Sequence, residues 1–382
     1  MYLAYSEVDI TPTNPIQLGG FAHRKGYAKE VHQPLYLRLI VLGDVWLFTA
    51  DLLWWDDQLV LQWKKKLALK GIKVLFHASH SHCTPNTHTE LSSILGKIDL
   101  EYMNFLEIRI LECTQSLKRF TCSHTQILEN IVNVSSYRRR KDGNLIKMAP
   151  NEEQKIDKKV TSIMLCNGDV PKLLFVHFAC HPTVSDMNKI SSEYCGTVIS
   201  ELQRYYQIPV IFLQGFCGDI RPELVKDGEY YRGNKNDIEN FGQKIIKAVK
   251  DSKKVLKEKL YTEPLIKTKE INFELFETQI IPIPCTRFEK HELQFRSSLL
   301  SISPQCSFIF ANAEMSNFYQ MNLNNIYGVG YTDGMIGYIA TQKQINNGGY
   351  EGKEFIKVFG NRGTFDPSIE MKIHDIWKGW LN

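Results

Sequence analysis

The stretch IKVLFHASHSHCTPNTHTE, Ile72 to Glu90, passes from a strand-forming run straight into a cluster of histidines. Four of the chain's 11 histidines, His77, His80, His82 and His88, fall inside it. Ile72–Ser79 is short, apolar and bounded by a glycine, which reads as a buried strand. His80 and His82 stand two apart at or just past its end. In extended chain, residues two apart point to one side, so both imidazoles face the same way if that conformation persists. Strand ends that feed loops are common places for sites in α/β proteins. An HxH pair alone reads equally well as a structural or surface feature.

Working outward, strands and helices alternate. RLIVLGDVWLFTAD (Arg38–Asp51) predicts a hairpin turning at Gly43-Asp44. DDQLVLQWKKKLALKG (Asp56–Gly71) predicts a helix with an acidic start and a glycine stop. Further helices are expected over Glu101–Leu117, Thr197–Tyr206 and Asn236–Lys254, with a short one at the C-terminus. SIMLCN (Ser162–Asn167) and KLLFVHFAC (Lys172–Cys180) predict a strand pair around Gly168-Asp169. PVIFLQG (Pro209–Gly215) predicts another buried strand. This interleaving indicates an α/β fold of mixed β-sheets covered by helices. The charged Lys254–Thr268 region is a candidate boundary between lobes, but its composition does not shift enough to divide the chain. A single domain over residues 1–382 is expected.

Composition narrows the function. With 382 residues, 43% hydrophobic and 23% charged, the chain can bury a sizeable core. The net charge is only +4. No stripe of basic and aromatic residues marks a nucleic-acid groove, and Lys64–Lys66 reads as a solvated helix face. No run approaches the ~18 apolar residues of a membrane span. The start, MYLAYSEVDITPT, lacks the features of a secretory leader, so a cytoplasmic location is expected. The nine cysteines show no CxxC spacing and read as reduced, mostly buried thiols. Cys83, Cys180, Cys195 and Cys217 are expected to be small apolar fillers.

Two more strand ends carry polar groups. FACHPTV sets His181 after the second buried strand, and Pro182 stops it. QGFCGDIRPE sets Asp219 after the third, with Gly215 and Gly218 permitting a tight turn. The expectation is that three strands of one sheet deliver polar residues to one shared site. Imidazoles with a carboxylate or phenolate suit a catalytic zinc ion. Asp51 reads either as the partner of a ligand imidazole or as a buried cap of the next turn, and Asp219 as a turn residue.

These segments resemble the neutral/alkaline ceramidase family. HASHSHCTP is similar to its zinc-binding signature. TPTNPIQLGGFAHR, VHQPLYLRLIVL, FACHPTV, SSEYCG, FLQGFCGDIRPE and GVGYTDGMIGYIATQKQINNGGYEG resemble further motifs, in the family's order from about Val8 to Gly352. The resemblance implies the family's catalytic-domain fold and one zinc ion per chain. It implies His80, His181, Glu314 (in ANAEMSNFY) and Tyr338 as metal ligands. It implies His82 and Tyr350 as substrate-side residues, the two tyrosines keeping the family's twelve-residue spacing. In SSYRRRKDG it implies Arg138, with Arg139 the rival.

Two departures shape the expected chemistry. Where the family's motif carries serine, this chain has Arg221, which cannot be a nucleophile. No counterpart of the larger members' C-terminal immunoglobulin-like domain is expected, and membrane ceramide is not the expected substrate. A metal-activated-water mechanism is compatible with both. The expected function is hydrolysis of an amide bond in a small N-acyl compound. An esterase or lactonase on the same site, or a non-catalytic binder of acyl ligands, remains open, as does the oligomeric state.

Overall fold

Three five-stranded sheets, with helices outside them, dominate the computed structural model, which describes residues 1–323 and 325–381. The first sheet runs in the order Lys73–Ala78, Val45–Ala50, Tyr36–Leu42, Tyr2–Asp9, Lys118–Thr121. Its hairpin closes where expected. Leu42 pairs with Val45 across Gly43-Asp44, and Gly43 takes φ +57°, the left-handed geometry that two-residue hairpin turns need. Helix Asp57–Ala68 then leads to the parallel strand Lys73–Ala78. Asp56 caps it by accepting from the Leu59 amide at 2.9 Å, and Leu59, Val60, Trp63 and Leu67 form its buried stripe. Lys65 and Lys66 are solvated, but Lys64 is not: it reaches Asp333 at 2.6 Å.

The second sheet is ordered Val210–Gln214, Val170–Phe178, Lys159–Asn167, His124–Ile131, Lys253–Lys259. The hairpin around Gly168 is as expected. Helix Glu193–Tyr206 carries the chain from Val170–Phe178 to its parallel neighbour, and begins four residues before the Thr197 start read from the sequence. Helix Lys235–Lys250 opens with a reciprocal cap between Asn234 and Asp237. It ends before Lys254, because Lys253–Lys259 pairs with His124–Ile131. The charged segment that looked like a boundary therefore begins as an edge strand, and from Leu265 it enters another strand, Leu265–Glu277. Lysines on such an edge deter pairing with other chains.

The third sheet is ordered Ile326–Val329, Cys306–Ala311, Glu292–Ser303, Leu265–Glu277, Gly363–Phe365. Alternate residues of all three sheets meet in one core: Ile40 and Leu42, Leu75, Ile163 and Leu165, Ile211 and Leu213, Phe308 and Phe310. The two-residue spacing is the strand period. On the opposite faces of the first two sheets, Phe48, Phe76, Leu174 and Val176 pack into a second core that includes Val60, Trp63, Leu202 and Phe241 of the helices. Each such fully buried side chain contributes about 2 kcal/mol relative to exposure.

The three site-bearing strands do not share one sheet. Lys73–Ala78 edges the first sheet and Val210–Gln214 the second, with Val170–Phe178 beside it; Ile326–Val329 edges the third. The edges join through isolated bridges, His77 to Thr332 and Gly215 to Val329. His77 ties the junction. Its Nδ1 lies 3.0 Å from the Gly330 carbonyl and 3.1 Å from Thr332 Oγ1, while Nε2 accepts from the Gln214 amide at 3.1 Å. The polar ends converge because sheets close edge to edge, not because strands lie side by side.

Candidate metal centre

The four histidines of the opening stretch have separate fates. His77 is the buried junction just described. His88 lies between Asp57 at 3.1 Å and Arg287 at 3.0 Å, a buried ion cluster. His80 and His82 turn toward His181. The chain is not extended there: His80 takes φ +66°. That left-handed residue reverses the backbone, and the two imidazoles still meet, with Nε2 atoms 3.2 Å apart.

The ring of His80 stacks on Tyr331 at 3.9 Å. Its Nδ1 lies 2.9 Å from the Leu53 carbonyl. A carbonyl only accepts, so Nδ1 carries a proton and Nε2 is the atom turned to the site. His181 repeats the device after the strand Val170–Phe178. Its Nδ1 faces the carbonyls of Cys217 at 2.6 Å and Ile220 at 2.9 Å. Its Nε2 lies 2.9 Å from Glu314 Oε2, and His80 Nε2 lies 3.4 Å from the same oxygen. Burial, aided by the positive Arg138, lowers the His181 pKa to about 4, so this imidazole is neutral at pH 7. Burial raises the Glu314 pKa, but the neighbouring imidazoles outweigh it and hold the carboxyl well below its ordinary range.

Glu314 and Tyr338 are register partners in a two-strand pair, Glu314–Met315 against Tyr338–Ile339. Gly218 lets the Asp219 turn press against this pair, since a Cβ there would stand 2.7 Å from the Glu314 carbonyl. Asp219 is more than a turn residue. Its carboxylate accepts from the Asn317 amide at 2.8 Å and from Gln344 Nε2 at 2.6 Å, bracing the loops that hold Glu314. Asp51 orients no imidazole: it pairs with Arg38 at 3.0 Å and accepts from the Tyr36 amide at 2.9 Å.

Arg138 donates to the Tyr338 hydroxyl at 3.1 Å and approaches His181 Nε2 at 3.4 Å. Arg139 turns away to the carbonyls of Gln344 and Gly348. Glu351 grips both arginines, at 2.6 Å each; it directly follows Tyr350, but no motif in the sequence marks it. The Tyr350 ring lies 5.3 Å from that of Tyr338. Burial, then the Glu314 charge, raises the Tyr338 and Tyr350 hydroxyls above their ordinary values. His82 and Tyr350 are half-buried, whereas His80, His181, Glu314 and Tyr338 are buried. The cysteines stay out: burial pushes the Cys83 and Cys217 thiols up to about 12.

The donor chemistry fits a divalent cation in two ways. His80, His82 and His181 offer nitrogens all within 4.8 Å of one another. His80, His181 and Glu314, with Tyr338 alongside, offer the second set. The second is the better built. His80 and His181 have carbonyls fixing their tautomers, the usual support of a ligand imidazole, whereas His82 Nδ1 is buried without a partner.

Mixed sheets meeting at a buried histidine–carboxylate centre define the class of this molecule. No family model matches the sequence and no curated protein matches it. Solved structures do match its fold. The crystal structure of neutral ceramidase from Pseudomonas aeruginosa superposes with a TM-score of 0.71 at 14% identity, over 92% of this chain and 70% of that one. A ceramidase complexed with C2 gives a TM-score of 0.72 at 13% identity, over 97% of this chain and 73% of that one. The chain has the neutral ceramidase fold. Among the described residues no helix is long and apolar enough to cross a membrane.

Proposed function

We propose that this chain is a single metallohydrolase domain that cleaves the amide bond of a small N-acyl compound, with one zinc ion per chain. The observation that carries this reading is the pair His80 and His181. Backbone carbonyls hold both Nδ1 atoms, and both Nε2 atoms converge on the buried Glu314. His80, His181, Glu314 and Tyr338 hold the ion. A bound zinc ion supplies a Lewis acid and an acidified water at neutral pH.

The residues around it divide the remaining work. Arg138 and Tyr350 donate to the carbonyl oxygen as negative charge develops there, a contribution typically worth about a hundredfold or more per donor. Glu351 fixes the Arg138 guanidinium, so that donation needs little reorganisation. His82, half-buried beside His80, sits on the solvent side, where it passes a proton to the departing amine. Its ring is backed by Phe21 at 4.8 Å. All nine cysteines are free thiols, which suits the reducing cytoplasm.

The test is release of the shared fatty acid from matched N-acyl amides and acyl esters by the zinc-loaded protein, before and after chelation. We expect amide hydrolysis that chelation removes and zinc restores. Hydrolysis of the ester alone would reassign the site to an esterase, and hydrolysis that survives chelation would remove the metal from the mechanism.

A further inference from the structure

Among the described residues six arginines are buried, and five have carboxylate partners: Arg38 with Asp51, Arg138 and Arg139 with Glu351, Arg287 and Arg296 with Asp57. The sixth, Arg221, is 6% exposed, and its Nε is buried with no hydrogen-bond partner. No carboxylate pairs with it among the described residues. Its guanidinium rests only on the face of Tyr230, 4.3 Å from the ring centroid. A buried cation left this way is disfavoured unless an anion arrives to meet it.

The position of Arg221 says where that anion would sit. The carbonyl of the preceding residue, Ile220, faces the Nδ1 of His181 at 2.9 Å, so Arg221 is one peptide from the metal centre. Arg232 approaches from the same side. It donates to the Thr183 carbonyl at 3.2 Å and lies 4.5 Å over the Phe21 ring, which packs on His82. Burial, then the positive charges of Arg232 and Arg138, pulls the Arg221 pKa down, the signature of a cation among cations. Burial holds the Arg232 pKa down as well, opposed by the nearby charge of Asp186, so the two arginines together leave positive charge for an anion to meet. Tyr230, Arg232 and His82 are half-buried, so this side opens to solvent. A planar guanidinium with a free edge takes a carboxylate through two parallel hydrogen bonds.

We propose that Arg221, backed by Arg232, binds a carboxylate that the substrate carries next to its scissile amide, which makes N-acyl amino acids the substrate class. This rests on the hydrolase reading above for the amide and stands on its own for the anion. The experiment compares equilibrium binding of octanoylglycine, its neutral carboxamide and octanoylethanolamine phosphate to the zinc-loaded wild type, Arg221→Gln and Arg232→Gln. Turnover is followed in the same samples. Wild type is expected to bind the acid about tenfold or more tightly than the carboxamide. Arg221→Gln should bring the ratio close to one, and Arg232→Gln should reduce it. Equal binding of acid and carboxamide by wild type, or a preference that survives in Arg221→Gln, overturns the proposal. Tighter binding of the phosphate overturns the carboxylate assignment. Acid-selective binding without turnover supports the anion site and counts against the amidase alone. Should Arg221→Gln not fold, the Arg232→Gln ratio decides.

Discussion

At the scale of single residues, the groups proposed to hold the ion are distinct from those proposed to meet substrate. His82→Ala should keep the bound metal, because His80, His181, Glu314 and Tyr338 remain, yet lower kcat about a hundredfold. Elemental analysis and kinetics on the same preparation check this, and metal loss in the variant would make His82 a ligand. Gly20 offers an independent handle on the same imidazole. It takes φ +89°, and a Cβ there would stand 2.3 Å from His82 Nδ1. Gly20→Ala should therefore displace His82 and cost about a hundredfold in kcat/KM. Gly26→Ala is the control: Gly26 has φ +79° but nothing within 4 Å of its Cβ position, so activity should hold. Legibility also divides at this scale. His80, His82 and His181 stand out because imidazoles at strand ends are rare and conspicuous. Glu314 and Tyr338 were visible only through their resemblance to known motifs. The carbonyls of Leu53, Cys217 and Ile220, which set the tautomers, were invisible, since every residue carries a carbonyl and only the fold selects these.

At the scale of elements, His77 is the group that joins three sheet edges. Burial, the main cause, lowers its pKa to about 3. Below about pH 6.5 the unfolded chain takes up a proton there that the folded chain refuses. The stability this neutral histidine confers is thus complete above pH 6.5 and declines as the pH falls toward 3. The loss is up to about 1.4 kcal/mol per pH unit. Urea unfolding of metal-free protein between pH 7 and pH 4.5 should show a shallower pH slope for His77→Gln than for wild type. Equal slopes would remove His77 from the pH dependence. Hairpins such as Arg38–Asp51 were legible because a Gly-Asp turn between two short continuous apolar runs has few other solutions. The join of Val210–Gln214 to Ile326–Val329 was not, because partners more than a hundred residues apart leave no local pattern. The helix ending at Lys250 was overread for a related reason: its lysine-rich continuation suits a helix, and an edge position in the second sheet outweighs that preference.

At the scale of the whole molecule, the neutral ceramidase fold brings together residues from Gly20 to Glu351, with no two of the four proposed ligands on the same strand. Such a centre exists only when all three sheets have closed, so metal retention reports on the native fold and on the proposed chemistry together. The most direct measurement is the metal content of purified wild type and of His181→Ala, each confirmed as folded by circular dichroism. The account predicts about one zinc per wild-type chain and close to none in folded His181→Ala. Wild type that binds no divalent metal after reconstitution, or a variant that retains it fully, would contradict the assignment of His181 and Glu314 as the heart of the site.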